Sequence, residues 1–224
     1  MLKLLFTALG CSAAHGVRPI GQGHHAVEAS LGGPIARLYG APVPIPLSSV
    51  GYRYGLSDRS DLHVRLHTTP LALFGLASFD AGASYLLADQ QGGRPAVNLE
   101  GSLYVTAGKL STGRGGVRFF GEAELYGSWA WSQREHLAYV GADFFYQPWS
   151  ELSGDPYQDT TRIYAGPVLG NRFMLGPRTG LAVQGTWINP WTDVEPLTAH
   201  YYSPGQQGAI QLKFGVHHAF GGGE

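Results

Sequence analysis

The stretch GYRYGLSDRSDLHVRLH, residues 51 to 67, alternates between two kinds of side chain almost without interruption. One parity carries tyrosine, leucine and valine, whereas the other carries glycine, arginine and histidine. Residues 57 to 60, Ser-Asp-Arg-Ser, have the composition of a tight turn. Because successive side chains of a strand point to opposite faces, this pattern predicts a β-hairpin with one apolar and one polar face. The surroundings of the apolar face, a protein core or a lipid bilayer, therefore decide the fold.

The composition of the chain limits its class before any motif is considered. Of its 224 residues 44% are apolar, which is enough for one sizeable ordered domain. Only 14% are charged, against about 25% in typical soluble domains. The 33 glycines and 12% aromatic residues favour a β-protein that exposes much of its surface to something other than water. The net charge of −1 and the lack of a basic block argue against nucleic acid as a partner.

Residues 1–10 have the outline of an export signal, with a lysine at position 3, a short apolar run and then small residues. The run is too short for a membrane span, which needs about 20 apolar residues. The tetrad Ala8-Leu9-Gly10-Cys11 resembles the bacterial lipoprotein box, and this resemblance implies that Cys11 becomes a lipidated first residue. Ordinary cleavage after Ala14 is the alternative. Residues 11–23 are small, polar and rich in glycine, and we expect them to form a tether.

From residue 24 onward, about ten segments repeat the alternation of the opening stretch, and each is closed by turn residues. No helical period is visible in this region. The pattern predicts an all-β fold, an up-and-down antiparallel barrel of about ten strands over residues 24–220, with a tail at 221–224. The predicted strands are 25–32, 47–56, 61–69, 79–87, 96–108, 117–131, 136–147, 161–172, 180–188 and 208–220.

The connections between these segments alternate in length, which is a second and independent signal. Short ones fall at 57–60, 89–94, 132–135 and 174–178, and most of the others are longer, at 33–46, 109–116, 148–160 and 190–206. Outer-membrane barrels have short periplasmic turns, longer external loops and an even number of strands. An even number also places both chain termini in the periplasm.

Three features favour lipid around the barrel. The strands have the roughly 9 to 11 residues that a tilted membrane strand needs. Aromatic residues fall near strand ends, where the membrane interfaces would lie. The polar face carries small residues and balanced charges, whereas a water-facing outer wall would carry many more lysines and glutamates. We therefore expect Tyr52, Leu62 and Val64 to face lipid, and Arg53, His63 and Arg65 to face the lumen. The alternative is a soluble periplasmic lipoprotein barrel that binds a hydrophobic ligand.

The last strand carries the most specific motif. Residues 213–220, Lys-Phe-Gly-Val-His-His-Ala-Phe, place a polar residue and a glycine before a final aromatic. In this the chain resembles the small bacterial outer-membrane β-barrel proteins, whose last strand is an assembly signal. The resemblance implies a transmembrane barrel in the bacterial outer membrane, with membrane lipid and the barrel-assembly machinery as partners. Gly221 to Glu224, which follow the final aromatic, depart from the family pattern.

Charged side chains on the polar face are the candidate functional residues. Basic residues lie on the second and third predicted strands and acidic residues on the fifth to seventh, across a narrow lumen. Two interpretations are open: a structural network of cross-lumen ion pairs, and a constriction that orients small polar solutes. The predicted lumen charge network is Arg53, His63, Arg65, His67, Glu100, Glu122, Glu124 and Asp143.

The sequence predicts neither an enzyme nor a cofactor or metal site. Some outer-membrane barrels are lipid-modifying enzymes with a His-Ser pair, but no serine motif lies near a histidine on one predicted rim. His63 and His67 are separated by about 13 Å of strand, too far to share a metal ion. Cys11 is the only cysteine, which excludes an internal disulfide. We predict a structural or narrow-pore surface protein, with loops 33–46, 148–160 and 190–206 as contact surface and lipid modification as a third alternative.

Overall fold

The computed structural model of the chain describes residues 16–38, 41–109, 115–132, 135–146, 148, 163–193, 202–203, 205 and 207–222. The signal region 1–10, Cys11 and most of the loops 148–160 and 190–206 lie outside the described residues. No helix among the described residues is both long and apolar enough to cross a membrane. In chain order the elements are β1 (His24–Leu38), β2 (Ala41–Pro44), β3 (Leu47–Ser57), β4 (Ser60–His67), α1 (Thr68–Phe74), β5 (Ala77–Ala88), β6 (Ala96–Lys109), β7 (Gly115–Ala130), β8 (Leu137–Tyr146), β9 (Ile163–Met174), β10 (Thr179–Asp193) and β11 (Gln207–Gly221).

The strands form a closed antiparallel barrel of ten strands. From β3 to β11 each strand pairs with its neighbour in sequence, and β1 pairs with both β3 and β11. The seam between the first and last strands runs from His24 opposite Gly221 to Pro34 opposite Gln211. Because β1 pairs with both β3 and β11, the barrel closes on itself and the described strands leave no open sheet edge. The predicted fold class is confirmed.

Each of the ten predicted segments overlaps one barrel strand, but two elements were not predicted. The far end of β1 turns back into β2 as a small hairpin above the barrel, within the predicted loop 33–46. The expectation of no helix was wrong, because α1 follows β4 directly. A helix of seven residues is too short to show a helical period. Pro70 lies in its first turn, where a missing N–H has no cost, and Gly75 ends it in the left-handed conformation.

The two rims of the barrel differ. The connections after β3, β5, β7 and β9 are short and lie at one rim, together with the start of β1 and the end of β11. We call this the short-turn rim. The opposite rim carries β2, α1 and the connections after β6, β8 and β10, and we call it the long-loop rim.

The two faces of the opening hairpin separate as predicted. Tyr52 and Val64 are 40% and 48% exposed on the outer wall. Arg53 and Arg65, which alternate with them, are 0% and 2% exposed inside the barrel. The apolar face is therefore the outside of the barrel and the polar face is the inside.

Glycines on the inner wall provide space for large side chains on neighbouring strands. A Cβ at Gly51 would lie 2.5 Å from Cγ of Arg65, the residue opposite it on β4. A Cβ at Gly170 would collide with the ring of Tyr139, its partner on β8. A ten-stranded barrel has a narrow interior, so a large side chain fits only where its neighbour is small. This pairing accounts for part of the high glycine content.

Substitution of Gly51 by alanine therefore displaces Arg65 and should destabilise the fold. We expect Gly51→Ala to lower the free energy of unfolding by about 1–3 kcal/mol, the usual cost of overpacking. Urea titration of the purified full chain measures this change. Gly101→Ala is the matched control, because a Cβ at Gly101 on the outer wall meets only a carbonyl oxygen at 3.9 Å. Equal effects of the two substitutions would contradict the packing argument.

Candidate functional site

Arg53 on β3 is the most connected charge inside the barrel. Its guanidinium Nε donates to Glu28 Oε1 of β1 at 2.8 Å. The two terminal nitrogens lie 3.5 Å from Asp61 on β4 and 3.4 Å from Glu100 on β6. All four side chains are at most 3% exposed. One guanidinium therefore joins four strands, including the first strand of the seam.

Arg65 on β4 forms a second centre beside the first. Its Nε donates to Asp80 Oδ1 of β5 at 2.9 Å, and Nη2 lies 3.4 Å from Glu100 Oε1. Two histidines also contact the Asp80 carboxylate: Nε2 of His67 lies 2.8 Å from Oδ2, and Nε2 of His63 lies 3.4 Å from Oδ1. Arg53, Arg65, their four carboxylates and these two histidines are the arginine cluster. Buried charges of both signs are in contact throughout it, as desolvation requires.

The arginine cluster differs from the predicted cross-lumen network in its partners. Its carboxylates lie on strands adjacent or close to those of the arginines, because an arginine side chain reaches a neighbouring strand more easily than the far wall. Glu28, Asp61 and Asp80 were missed, although they share the inward parity of the two arginines. Of the predicted network residues, the cluster contains Arg53, His63, Arg65, His67 and Glu100.

The other three predicted residues form a separate group. Glu122 and Glu124 on β7 and Asp143 on β8 each offer an oxygen within 4.8 Å of the others, and we call them the acidic cluster. Glu124 is 2% exposed. The hydroxyl of Tyr104 donates to Glu122 Oε2. Lys213 on β11 acts electrostatically on Glu124 and Asp143.

Residues before the first strand enter the barrel. Gly16 and Val17 are buried, and Val17 packs against Tyr126, Leu137 and Tyr139 of the inner wall. We call residues 16–20 the lumen segment. The sequence analysis assigned them to the tether, because short glycine-rich stretches carry no periodic signal that distinguishes an inserted segment from a free one.

Hydrogen bonds tie the lumen segment to several strands. The carbonyl of Gly16 accepts from the side chain of Asn98 on β6. Arg18 donates to Ser128 Oγ at 3.0 Å and to Gln90 Oε1 at 2.6 Å. The backbone N–H of Ile20 donates to the carboxylate of Asp61 at 3.2 and 3.3 Å. The segment is therefore fitted to the short-turn half of the lumen.

A serine lies near a histidine after all, but without the geometry of a catalytic triad. Ser102 Oγ is 3.0 Å from Nε2 of His63, and Asp80 Oδ1 is 3.4 Å from the same nitrogen. A triad needs the acid and the nucleophile on opposite nitrogens of the imidazole. His63 is also 4% exposed, which leaves no room for a substrate. The group fits a packed polar interior better than a nucleophilic site.

Comparison with known proteins assigns no family to the chain. No model of a protein family and no curated sequence matches it. The solved structures that it resembles include the translocator domain of the autotransporter NalP from Neisseria meningitidis. The two sequences are 13% identical, the match covers 92% of this chain and 91% of that chain, and the TM-score is 0.48. An outer-membrane channel from Pseudomonas putida F1 is 12% identical; the match covers 93% of this chain and 100% of the channel, with a TM-score of 0.45. The outer-membrane protease OmpT from Escherichia coli is 13% identical; the match covers 88% of this chain and 97% of the protease, with a TM-score of 0.38. Because these proteins differ in function and are distant in sequence, they transfer no activity to this chain.

Removal of Arg53 should leave three buried carboxylates without their shared cation. We expect Arg53→Ala to lower the free energy of unfolding by about 3–5 kcal/mol, as when one partner of a buried pair is lost. The matched control is Asp89→Ala, since Asp89 pairs with Arg59 at 3.0 Å but the two side chains are 60% and 43% exposed. That exposed pair should contribute less than about 1 kcal/mol. Urea titrations of both variants that agreed within error would contradict the central position of Arg53.

Proposed function

We propose that the chain is an integral protein of a bacterial outer membrane, with a non-enzymatic structural or surface role. The observation that carries the proposal is the contrast between the two faces of the wall, apolar outside and charged inside. Water outside the barrel would leave a continuous apolar band exposed around it, which soluble proteins avoid. Lipid around the wall would cover this apolar band, and a closed barrel suits a bilayer because its strands pair with one another and leave no open sheet edge.

The exposed aromatic side chains support a membrane that spans the wall between its rims. Tyr85, Trp131 and Phe220 are 39–54% exposed near the short-turn rim, and Phe79 and Tyr146 are 44% and 48% exposed near the long-loop rim. Aromatic girdles at both interfaces accompany transmembrane barrels. With the short turns in the periplasm, both ends of the barrel domain face that compartment and the long loops face outward.

The interior argues against the soluble alternative. A soluble barrel that carries a hydrophobic ligand needs an apolar cavity. Here the middle of the interior is filled by the arginine cluster, whose two arginines are at most 2% exposed. The lumen segment occupies the short-turn half. A structural or surface role, with at most a narrow pore, fits this filling better than ligand storage or a wide channel.

The long-loop rim is the proposed contact surface. β2 is exposed along its whole length and extends the wall beyond the barrel, with Val43 38% exposed. β8 and β10, the strands that precede most of the predicted loops 148–160 and 190–206, end at the same rim. We also propose that the last strand, which pairs with β1 at the seam, is the segment that the barrel-assembly machinery recognises.

An aspartate on the outer wall tests the membrane. We expect Val64→Asp to reduce insertion, because a carboxylate in the middle of the wall would be desolvated by lipid. The readout is the amount of protein in the washed membrane pellet that migrates differently before and after boiling in detergent. Val43→Asp is the matched control, because the same change on β2 lies beyond the barrel wall. Wild-type protein that is soluble and shows no heat-dependent shift would refute the membrane proposal.

Conductance tests whether the lumen is closed. Planar bilayers with the wild-type protein should show little or no conductance, since the lumen segment fills the short-turn half. Val17→Asp should raise the conductance by placing a charge among Tyr126, Leu137 and Tyr139, which favours release of the segment. Gln22→Asp changes an exposed residue just outside the segment and should leave the conductance unchanged. Large stable channels in the wild type, unaltered by Val17→Asp, would contradict a closed barrel.

A further inference from the structure

We propose that the acidic cluster, Glu122, Glu124 and Asp143, binds one calcium ion inside the barrel. This inference goes beyond the proposed function and departs from the sequence analysis, which expected no metal site. It depends on the interior of the barrel and not on what surrounds it.

The first argument is the position of the cluster in the sheet. Strand pairing places Asp61, Ser84, Glu100, Glu124 and Asp143 in one row across five consecutive strands. Like charges directly opposite each other destabilise a sheet. At the β4 end of the row, Arg53 contacts both Asp61 and Glu100. At the β8 end, Lys213 adds a single positive charge beside the three carboxyl groups of the acidic cluster.

The second argument is a pair of unsatisfied oxygens. Glu124 Oε1 and Asp143 Oδ1 have no hydrogen-bond partner among the described residues. Glu124 is 98% buried, so bulk solvent does not reach this oxygen. A buried carboxylate oxygen without a donor or a cation has a large desolvation cost. A cation held by the cluster would remove this cost at both oxygens.

The third argument is geometry and access. Two oxygens that bind one calcium ion at 2.3–2.6 Å can be separated by up to about 5 Å, and the oxygens of the cluster lie within 4.8 Å of one another. Glu122 and Asp143 also line a pocket with Tyr164, Thr186 and Ile188. The pocket gives space for a water ligand beside the carboxylates, and calcium takes its six to eight oxygens from water and from carboxylates that bind through one or both oxygens. An all-oxygen, carboxylate-rich site favours calcium over zinc or copper.

Calcium titration of the folded full chain, purified in the presence of a chelator and then freed of it, tests the proposal. We expect one ion per chain, with a dissociation constant of about 10⁻⁴ to 10⁻³ M, the range of extracellular calcium sites. Glu124→Gln and Asp143→Asn should each weaken binding at least roughly tenfold, because each removes a charged ligand. Asp89→Asn, which removes an exposed carboxylate at a turn, is the control and should bind as the wild type does.

Terbium luminescence gives a second readout, which on the wild type does not depend on the Glu124 and Asp143 variants folding. Terbium(III) replaces calcium at oxygen sites and emits when a nearby tyrosine is excited. Because Tyr104 donates to Glu122, the bound ion should be sensitised through Tyr104, and calcium should quench the signal by displacement. Tyr104→Phe should reduce the emission while calcium still binds.

The outcomes are distinct from those of the membrane test. Absence of saturable calcium binding by the wild type, or equal binding by Glu124→Gln, Asp143→Asn and the control, would overturn the site and indicate that the carboxyl groups share protons. If neither cluster variant folds, wild-type stoichiometry and the Tyr104→Phe emission decide the question. None of these results depends on whether the barrel inserts into lipid.

Discussion

Charge neutralisation in a narrow lumen is the constraint on which this barrel depends. Arg53 contributes most to this neutralisation, because its guanidinium contacts carboxylates from β1, β4 and β6. The contact with Glu28 is the one that reaches the first strand of the seam. Strand pairing between β1 and β11 closes the barrel, and the ion pair between Arg53 and Glu28 adds a contact inside the barrel beside this seam. Every second side chain of a barrel wall points inward, so an inward arginine must find its carboxylates on the strands around it.

Space is the second constraint, and it acts together with charge. An arginine or tyrosine that crosses the lumen needs a small residue on the next strand, as Gly51 and Gly170 show. The same side chains leave little room for water. Each inward position is therefore shaped by its neighbour across the strand pair, and a polar interior becomes as closely packed as an apolar core.

The sequence determined the wall of the barrel more clearly than its contents. Alternation located all ten barrel strands and showed which face of the wall points inward, because apolar and polar residues alternate with a period of two in every segment. It did not identify α1, which is too short for a helical period, or β2, which extends only four residues. It also did not identify the partners of Arg53, since parity shows which residues face inward and not which neighbours they meet. Strand register, a property of pairing, decides that.

The lumen segment and the acidic cluster together make the interior asymmetric. Val17 and Arg18 fill the short-turn half, where Arg18 also reaches Gln90 near the rim. The pocket beside Glu122 lies among Phe145, Tyr164 and Ile188, toward the long-loop half. Among the described residues, this pocket offers a small ion or solute space on the long-loop side of the arginine cluster. In the proposed orientation that side faces the exterior of the cell, so the acidic cluster would respond to the external medium, whereas the periplasmic entrance stays occupied by the chain itself.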